Sequence, residues 1–347
     1  MLVDSPPEER AAAAAAPPTR RAARSAGLLL SAVILVLVAL ASIAVGAKGL
    51  SPEQVLHGLF QDSGTYGDAV VGQRLSRTVL GLLAGAALGL SGAVLQALTR
   101  NPLADPGVLG INAGASAAVV TAITYLGVTS LSGYVWFAFL GAAAVGALVW
   151  FLGGARSATP VRLALAGTAI SAALYGYLQA VMITDGAALG RMRFWTVGSL
   201  ASATDATIAQ VLPFCAVGAV LALLLARPLN AVAMGDDTAR ALGARLNRTR
   251  ALAMLAATLL CGAATAACGP IVFVGLMVPH AVRSFTGPDL RWILPYATIL
   301  SPVLLLGADV IGRVAARPAE VQVGVVTALI GGPVFILLVR RRRSAQL

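Results

Sequence analysis

Residues 28–47, LLLSAVILVLVALASIAVGA, contain no ionisable side chain, and the chain returns to such runs repeatedly. Crossing the ~30 Å hydrocarbon core of a bilayer takes about 20 mostly apolar residues in a helix. Further runs of that length lie at 77–98, 107–127, 134–154, 162–183, 208–226, 292–311 and 321–339. Lipid offers the backbone no water, so each run must satisfy its own amides and carbonyls, which a helix does. Composition agrees: 58% of the 347 residues are hydrophobic and 11% charged, where an ordinary soluble domain is about 25% charged. The predicted class is an all-α polytopic membrane protein.

The stretch 250–283 would run about 50 Å as one helix, well past the hydrocarbon core. Gly269-Pro270 interrupts it, so two spans joined by a tight turn fit better and the total becomes ten. Arg20, Arg21 and Arg24 precede the first run and Arg340, Arg341, Arg342 and Arg343 follow the last. By the positive-inside rule both termini are cytoplasmic, which demands an even count. The net charge of +11 therefore records topology rather than nucleic-acid binding. A signal peptide could also place basic residues before the first run, but that run is long for one. Residues 1–26, rich in Ala and Pro, read as a disordered cytoplasmic extension, 27–340 as one transmembrane domain, and 341–347 as a basic tail. The outer segments hold more cations than the rule predicts: Lys48, Arg74, Arg77, Arg191, Arg193, Arg313 and Arg317. An acidic partner on the outer face would explain them; the plainer account is the weak charge bias of many multi-span proteins.

Catalytic chemistry is sparse. The one lysine, Lys48, stands before Gly49 and outside any GxxxxGK[ST] loop, so this chain is not expected to hydrolyse ATP. His57 and His280 form no HExxH, Asp236 and Asp237 lack a second acidic pair, and Ser91 lacks the full GxSxG elbow. Cys215, Cys261 and Cys268 lie in apolar runs without CxxC spacing and read as buried small residues, not a metal site. An ion-coupled carrier wants ionisable groups at mid-membrane depth. Asp309 comes nearest, and Arg313 four residues on makes it a structural ion pair.

Two polar stretches remain. In TRNPLADPGVLGINAGAS, residues 99–116, Asn101-Pro102 and Asp105-Pro106 disfavour helix and turn the chain, with Asp105 as a cap. Small residues follow, among them Gly114, permitting close packing or room beside a path for a bulky solute. In RPLNAVAMGDDTARALGARLNRTR, residues 227–250, Asp236 and Asp237 open a short helical pattern and Arg240 and Arg245 lie toward its end, as the dipole favours. Leu242 and Leu246 give a small apolar face, and Gly243 can divide the segment in two. Such an element suits a groove on another protein; resting on lipid headgroups is the plainer use.

RLSRTVLGLLAGAALGLSGAVLQALTRNPLADPGVLGINAGAS resembles the signature region of the permease family of ABC importers for ferric siderophores, haem and cobalamin. FWTVGSL, MGDDTARALGARLNRTR, CGPIVFVGLMVPHAVR, GADVIGR and PAEVQVGVVTALIGGPVF resemble its later motifs in order, covering about 70–342. The resemblance implies a type II importer permease fold of ten helices, with 77–183 and 250–339 as inverted repeats. It implies a dimer with a second copy or close homologue around a translocation path. It also implies two cytoplasmic ATPase subunits that carry ATP and Mg, and an extracytoplasmic substrate-binding protein. No cofactor is expected on this chain, which would sit in the cell membrane.

The resemblance carries ATPase coupling onto Gly235, Asp236, Asp237, Ala239, Arg240, Leu242, Gly243 and Leu246. Binding-protein docking falls on Arg74, Arg77 and Arg313, with Ser76 where the family pattern has proline between the first two. Path or gate roles fall on Asn101, Pro102, Asp105 and Gly114, and on Ser157 and Thr159 in RSATPVR. The solute implied is a metal chelate, a ferric siderophore ahead of haem or cobalamin. An ion-coupled secondary carrier and a membrane scaffold are the readings from other classes.

Overall fold

In this computed structural model, which describes residues 18–60, 64–154 and 159–344, the first apolar run lies within helix α1, Pro18–Ala44. Residues 18–26, expected in the disordered extension, are its opening turns, because Ala and Arg are strong helix formers. The last helix likewise continues through the basic run to Ser344, so most of the expected tail is helical.

Among the described residues there are fourteen α-helices. After α1 come α2, Pro52–Phe60, and the long α3, Tyr66–Thr99. A 3-10 turn, Pro106–Leu109, leads into α4, Ile111–Leu126, followed by α5, Leu131–Leu152, α6, Pro160–Thr184, and α7, Gly186–Trp195. Next are α8, Asp205–Leu224, and the short pair α9, Ala226–Ala233, and α10, Asp236–Ala241. The chain closes with α11, Leu246–Cys268, α12, Val274–Thr286, α13, Leu290–Ala315, and α14, Val323–Ser344. Local chemistry sets several starts. Thr65 and Asp68 form a reciprocal capping box on α3, Thr159 with Pro160 opens α6, and Asp185 accepts two amide hydrogen bonds at the start of α7.

Seven helices, α1, α3, α5, α6, α8, α11 and α13, are long and apolar enough to cross a membrane unaided. Three crossings are incomplete helices. Helix α12 has 13 residues, about 20 Å, and α4 has 16. The apolar part of α14 is also short. Helix α4 begins at Ile111, not 107, because Gly110 (φ 76°) breaks the turn before it. The link between α11 and α12 is not a tight turn but a five-residue stretch, 269–273, ending at left-handed Phe273 (φ 71°). Non-helical backbone at such depth survives only inside protein. Here the Ser199 amide donates to the Cys268 carbonyl at 2.7 Å, and the Gly324 amide to the Gly198 carbonyl at 3.1 Å.

Contacts between helices repeat in pairs. Helix α3 packs on α12 and α13, while α11 packs on α4 and α5, and α3 and α11 pack on each other. Within each group the second helix packs on the third and fourth. The sets α3–α6 and α11–α14 thus share one pattern of contacts, as the two expected repeats require. Those two central helices are buried along most of their length, whereas α1 and α6 are mostly uncovered.

Candidate functional site

At one end of the bundle α9, α10 and the start of α11 form a compact element. Gly235 (φ 115°) and Gly243 (φ 78°) make its two bends, conformations that side chains with a Cβ disfavour. Val232, Ala239 and Leu246 bury one another beneath it. Leu242 is 65% exposed, so the expected shared face of Leu242 and Leu246 does not exist: Gly243 ends the helix between them. Asp237 and Arg240 pair at 2.9 Å in the open, an interaction worth little.

Asp236 differs from Asp237. Arg250 at the start of α11 grips both its oxygens, at 2.9 and 2.8 Å. Arg100, the left-handed residue ending α3, bonds it as well, and its Nε donates to the Val232 carbonyl at 2.8 Å. Partial burial disfavours the charged carboxyl. The two guanidinium groups outweigh that and hold Asp236 below the usual carboxylate range. One carboxylate thus ties the short element to both central helices. Sequence reasoning missed Arg100 and Arg250, since no period or motif links positions 136 and 14 residues away.

Beside this element the 101–110 stretch turns as predicted. The Leu103 amide donates to Asn101 Oδ1 at 2.9 Å and the Gly107 amide to Asp105 Oδ1 at 2.7 Å. Asn101 and Asp105 line a cavity of ≈310 Å³ together with Thr99, Leu109 and the first turns of α6. Pro102 is half-buried in the same turn. Thr159 caps α6 close by, accepting from the Arg162 amide at 3.4 Å; Ser157 lies outside the described residues. Gly114 is elsewhere. A Cβ there would lie 2.5 Å from the Gly141 carbonyl oxygen and from Val145, so Gly114 serves the α4–α5 contact and does not face an open path.

At the opposite end Arg74, Arg77 and Arg313 come together, but inside the protein. They are 6%, 8% and 1% exposed. Arg77 clamps Asp309 through Nε (3.0 Å) and Nη2 (2.7 Å) and reaches Glu320 at 2.7 Å. Arg313 pairs with Asp309 at 2.9 Å, the ion pair expected four residues apart. The remaining donors of these arginines close the end of α1. Arg313 donates to the carbonyls of Ser42 (2.8 Å) and Val45 (3.1 Å), and Arg74 to those of Ile43 (3.1 Å), Ala44 (3.0 Å) and Lys48 (2.5 Å). A helix leaves its last four carbonyls unpaired and negative, and cations are the matching caps. The three arginines expected to meet a docking partner are thus buried, with most of their donors already bonded within this chain. Exposed Lys48 and Arg317 stand above them. The three cysteines are free and buried, as expected.

Comparison with known proteins extends the geometry. The model of the FecCD transport family matches residues 34–341. The chain is 46% identical to the ferric enterobactin transport system permease protein FepD of Escherichia coli K12, covering 89% of this chain and 93% of that one. It is 37% identical to the hemin transport system permease protein HmuU of Yersinia pestis, over 90% and 95% of the two chains. A solved structure described as an inward-facing conformation of a putative metal-chelate type ABC transporter superposes with a TM-score of 0.80 at 27% identity, covering 91% of this chain and 99% of that one. The protein is a transport permease rather than an enzyme, and it belongs to the FecCD transport family.

Proposed function

We propose that this chain forms the translocation path of an ATP-driven importer for a ferric siderophore. The observation that carries the importer reading is the bracing of Asp236. An exposed docking element, showing Leu242 and Met234, is bolted through one carboxylate to the two buried central helices. A push on that element reaches both repeats at once. ATP and Mg belong to two partner ATPase subunits beneath it, on the cytoplasmic side. The high identity to a ferric enterobactin permease supports a siderophore over haem.

Helices α6 and α14 occupy equivalent places in the two repeats, and both leave apolar residues such as Leu165, Ile183 and Leu329 uncovered. A second copy, or a close homologue, packs there around the path. Asn101, Pro102, Asp105 and Thr159 lie near its cytoplasmic mouth. A substrate-binding protein meets the far end at Lys48, Arg317 and Glu320, a surface that Arg74, Arg77 and Arg313 hold in shape from beneath. Charge reversal of Lys48 and Arg317 to Glu is expected to abolish binding-protein-stimulated ATPase activity while basal activity persists. Unchanged stimulation would move docking elsewhere.

The test of the solute is cellular uptake of radio-iron on a panel of siderophores, with labelled haem beside it, in cells with and without the gene. Selective loss of one ferric chelate is the expected result. Lost haem uptake with normal iron-siderophore uptake would overturn the substrate, and uptake that survives an inactive ATPase but fails with a protonophore would overturn the mechanism.

A further inference from the structure

Between α1 and the α12–α13 corner, at the same end as α10, two cavities of ≈440 and ≈530 Å³ adjoin at Arg24. The corner is fixed to α9, since Asn230 donates to Asp289 at 2.7 Å and accepts from the Leu290 amide at 2.9 Å. Three arginines line the pair of cavities. Arg291 is neutralised by a forked bond to Asp289, with contacts of 2.8 and 3.0 Å. Arg21 and Arg24 have no carboxylate partner among the described residues. Two guanidinium groups without a carboxylate, set beside apolar surface, offer a match for an anionic headgroup.

The surroundings say which kind. The Arg24 guanidinium lies 5.9 Å from the centre of the Trp292 ring. Phe285, 58% exposed, stands edge-on to Tyr296 at 5.3 Å. Within three turns along α1, Leu29, Leu30 and Val33 face outward. Cations, then aromatic rings, then bare aliphatic surface is the order of headgroup, interface and acyl chain in a bilayer leaflet. A free phosphate would use only the first of these.

We infer that this corner is a binding site for one anionic glycerophospholipid, its phosphate between Arg21 and Arg24 and its acyl chain against Phe285 and the outer face of α1. Basic pockets between spanning helices on the cytoplasmic side hold such headgroups. The inference requires the membrane fold and not any particular solute.

The test is native mass spectrometry of the full-length chain in mild detergent with equal amounts of phosphatidylglycerol and phosphatidylcholine. The intact chain should retain phosphatidylglycerol roughly tenfold over phosphatidylcholine. Arg21→Gln with Arg24→Gln should erase the preference, and Arg191→Gln with Arg193→Gln at the far end should leave it. Inorganic phosphate in excess should not displace the lipid. No preference in the unmodified chain, a preference that survives Arg21→Gln/Arg24→Gln, or displacement by phosphate would each overturn the site. Should that pair of changes prevent folding, brominated lipids provide a second reading. Brominated phosphatidylglycerol should quench tryptophan emission more than brominated phosphatidylcholine, with the excess lost in Trp292→Phe; equal quenching by the two lipids overturns the proposal.

Discussion

Asp309 is fully buried between Arg77 and Arg313, so removing its charge strands two guanidinium groups. Breaking a buried pair by deleting one partner costs about 3–5 kcal/mol. Asp309→Asn is expected to lower the thermal stability of the detergent-solubilised protein by about that much, and an unchanged melting curve would deny the cluster its role. Asp236 is expected to act on coupling instead. Asp236→Asn should cut solute transport roughly tenfold, a loss near the 1.4 kcal/mol of one charged hydrogen bond, while ATP hydrolysis continues. Parallel transport and hydrolysis assays in proteoliposomes would check it. Because its arginines depress the Asp236 pKa, its contribution is complete above the unfolded value of about 3.9 and vanishes only as pH falls through the lower folded value. Coupling should therefore stay flat from about pH 6 to pH 8.

At the scale of helices, the glycine contact between α4 and α5 makes a sharp expectation. Gly114→Leu must force the Gly141 backbone and Val145 aside, overpacking that costs about 1–3 kcal/mol. Reduced yield of monodisperse protein should follow, and a well-folded but transport-dead Gly114→Leu would return this residue to the path. The seven full-length crossings were legible because lipid imposes a length on a helix that spans it unaided, so apolar runs mark them. The breaks at 101–110 and 269–273 were only half legible. Proline and glycine announced an interruption, but the Ser199 amide that pairs with the Cys268 carbonyl, at the edge of the second break, comes from a distant segment. The arginines misled for the same reason. An arginine at a span edge has one appearance in sequence whether it meets water or, as for Arg77, a carboxylate 232 positions away.

For the whole molecule, the sidedness of the two ends of the bundle is open to a direct measurement. The three native cysteines are buried, so added ones report cleanly. In intact cells a membrane-impermeant thiol reagent should label Phe60→Cys, at the α2 end, and spare Leu242→Cys until the membrane is opened. Labelling in the reverse order would invert the topology.

Helix α1 precedes the first repeat in the chain but is fastened chiefly to the second. Arg313 holds its end, and Tyr296 of the same helix α13 donates to the Arg24 carbonyl near its start at 2.7 Å. Mechanically α1 is an outrigger lashed to α13. If the two repeats rock against each other, α1 travels with α13, and its bonds to Arg74 of α3 are the ones put under load. A protein cut between α1 and α3 should keep α1 aboard, held by guanidinium groups instead of by the chain.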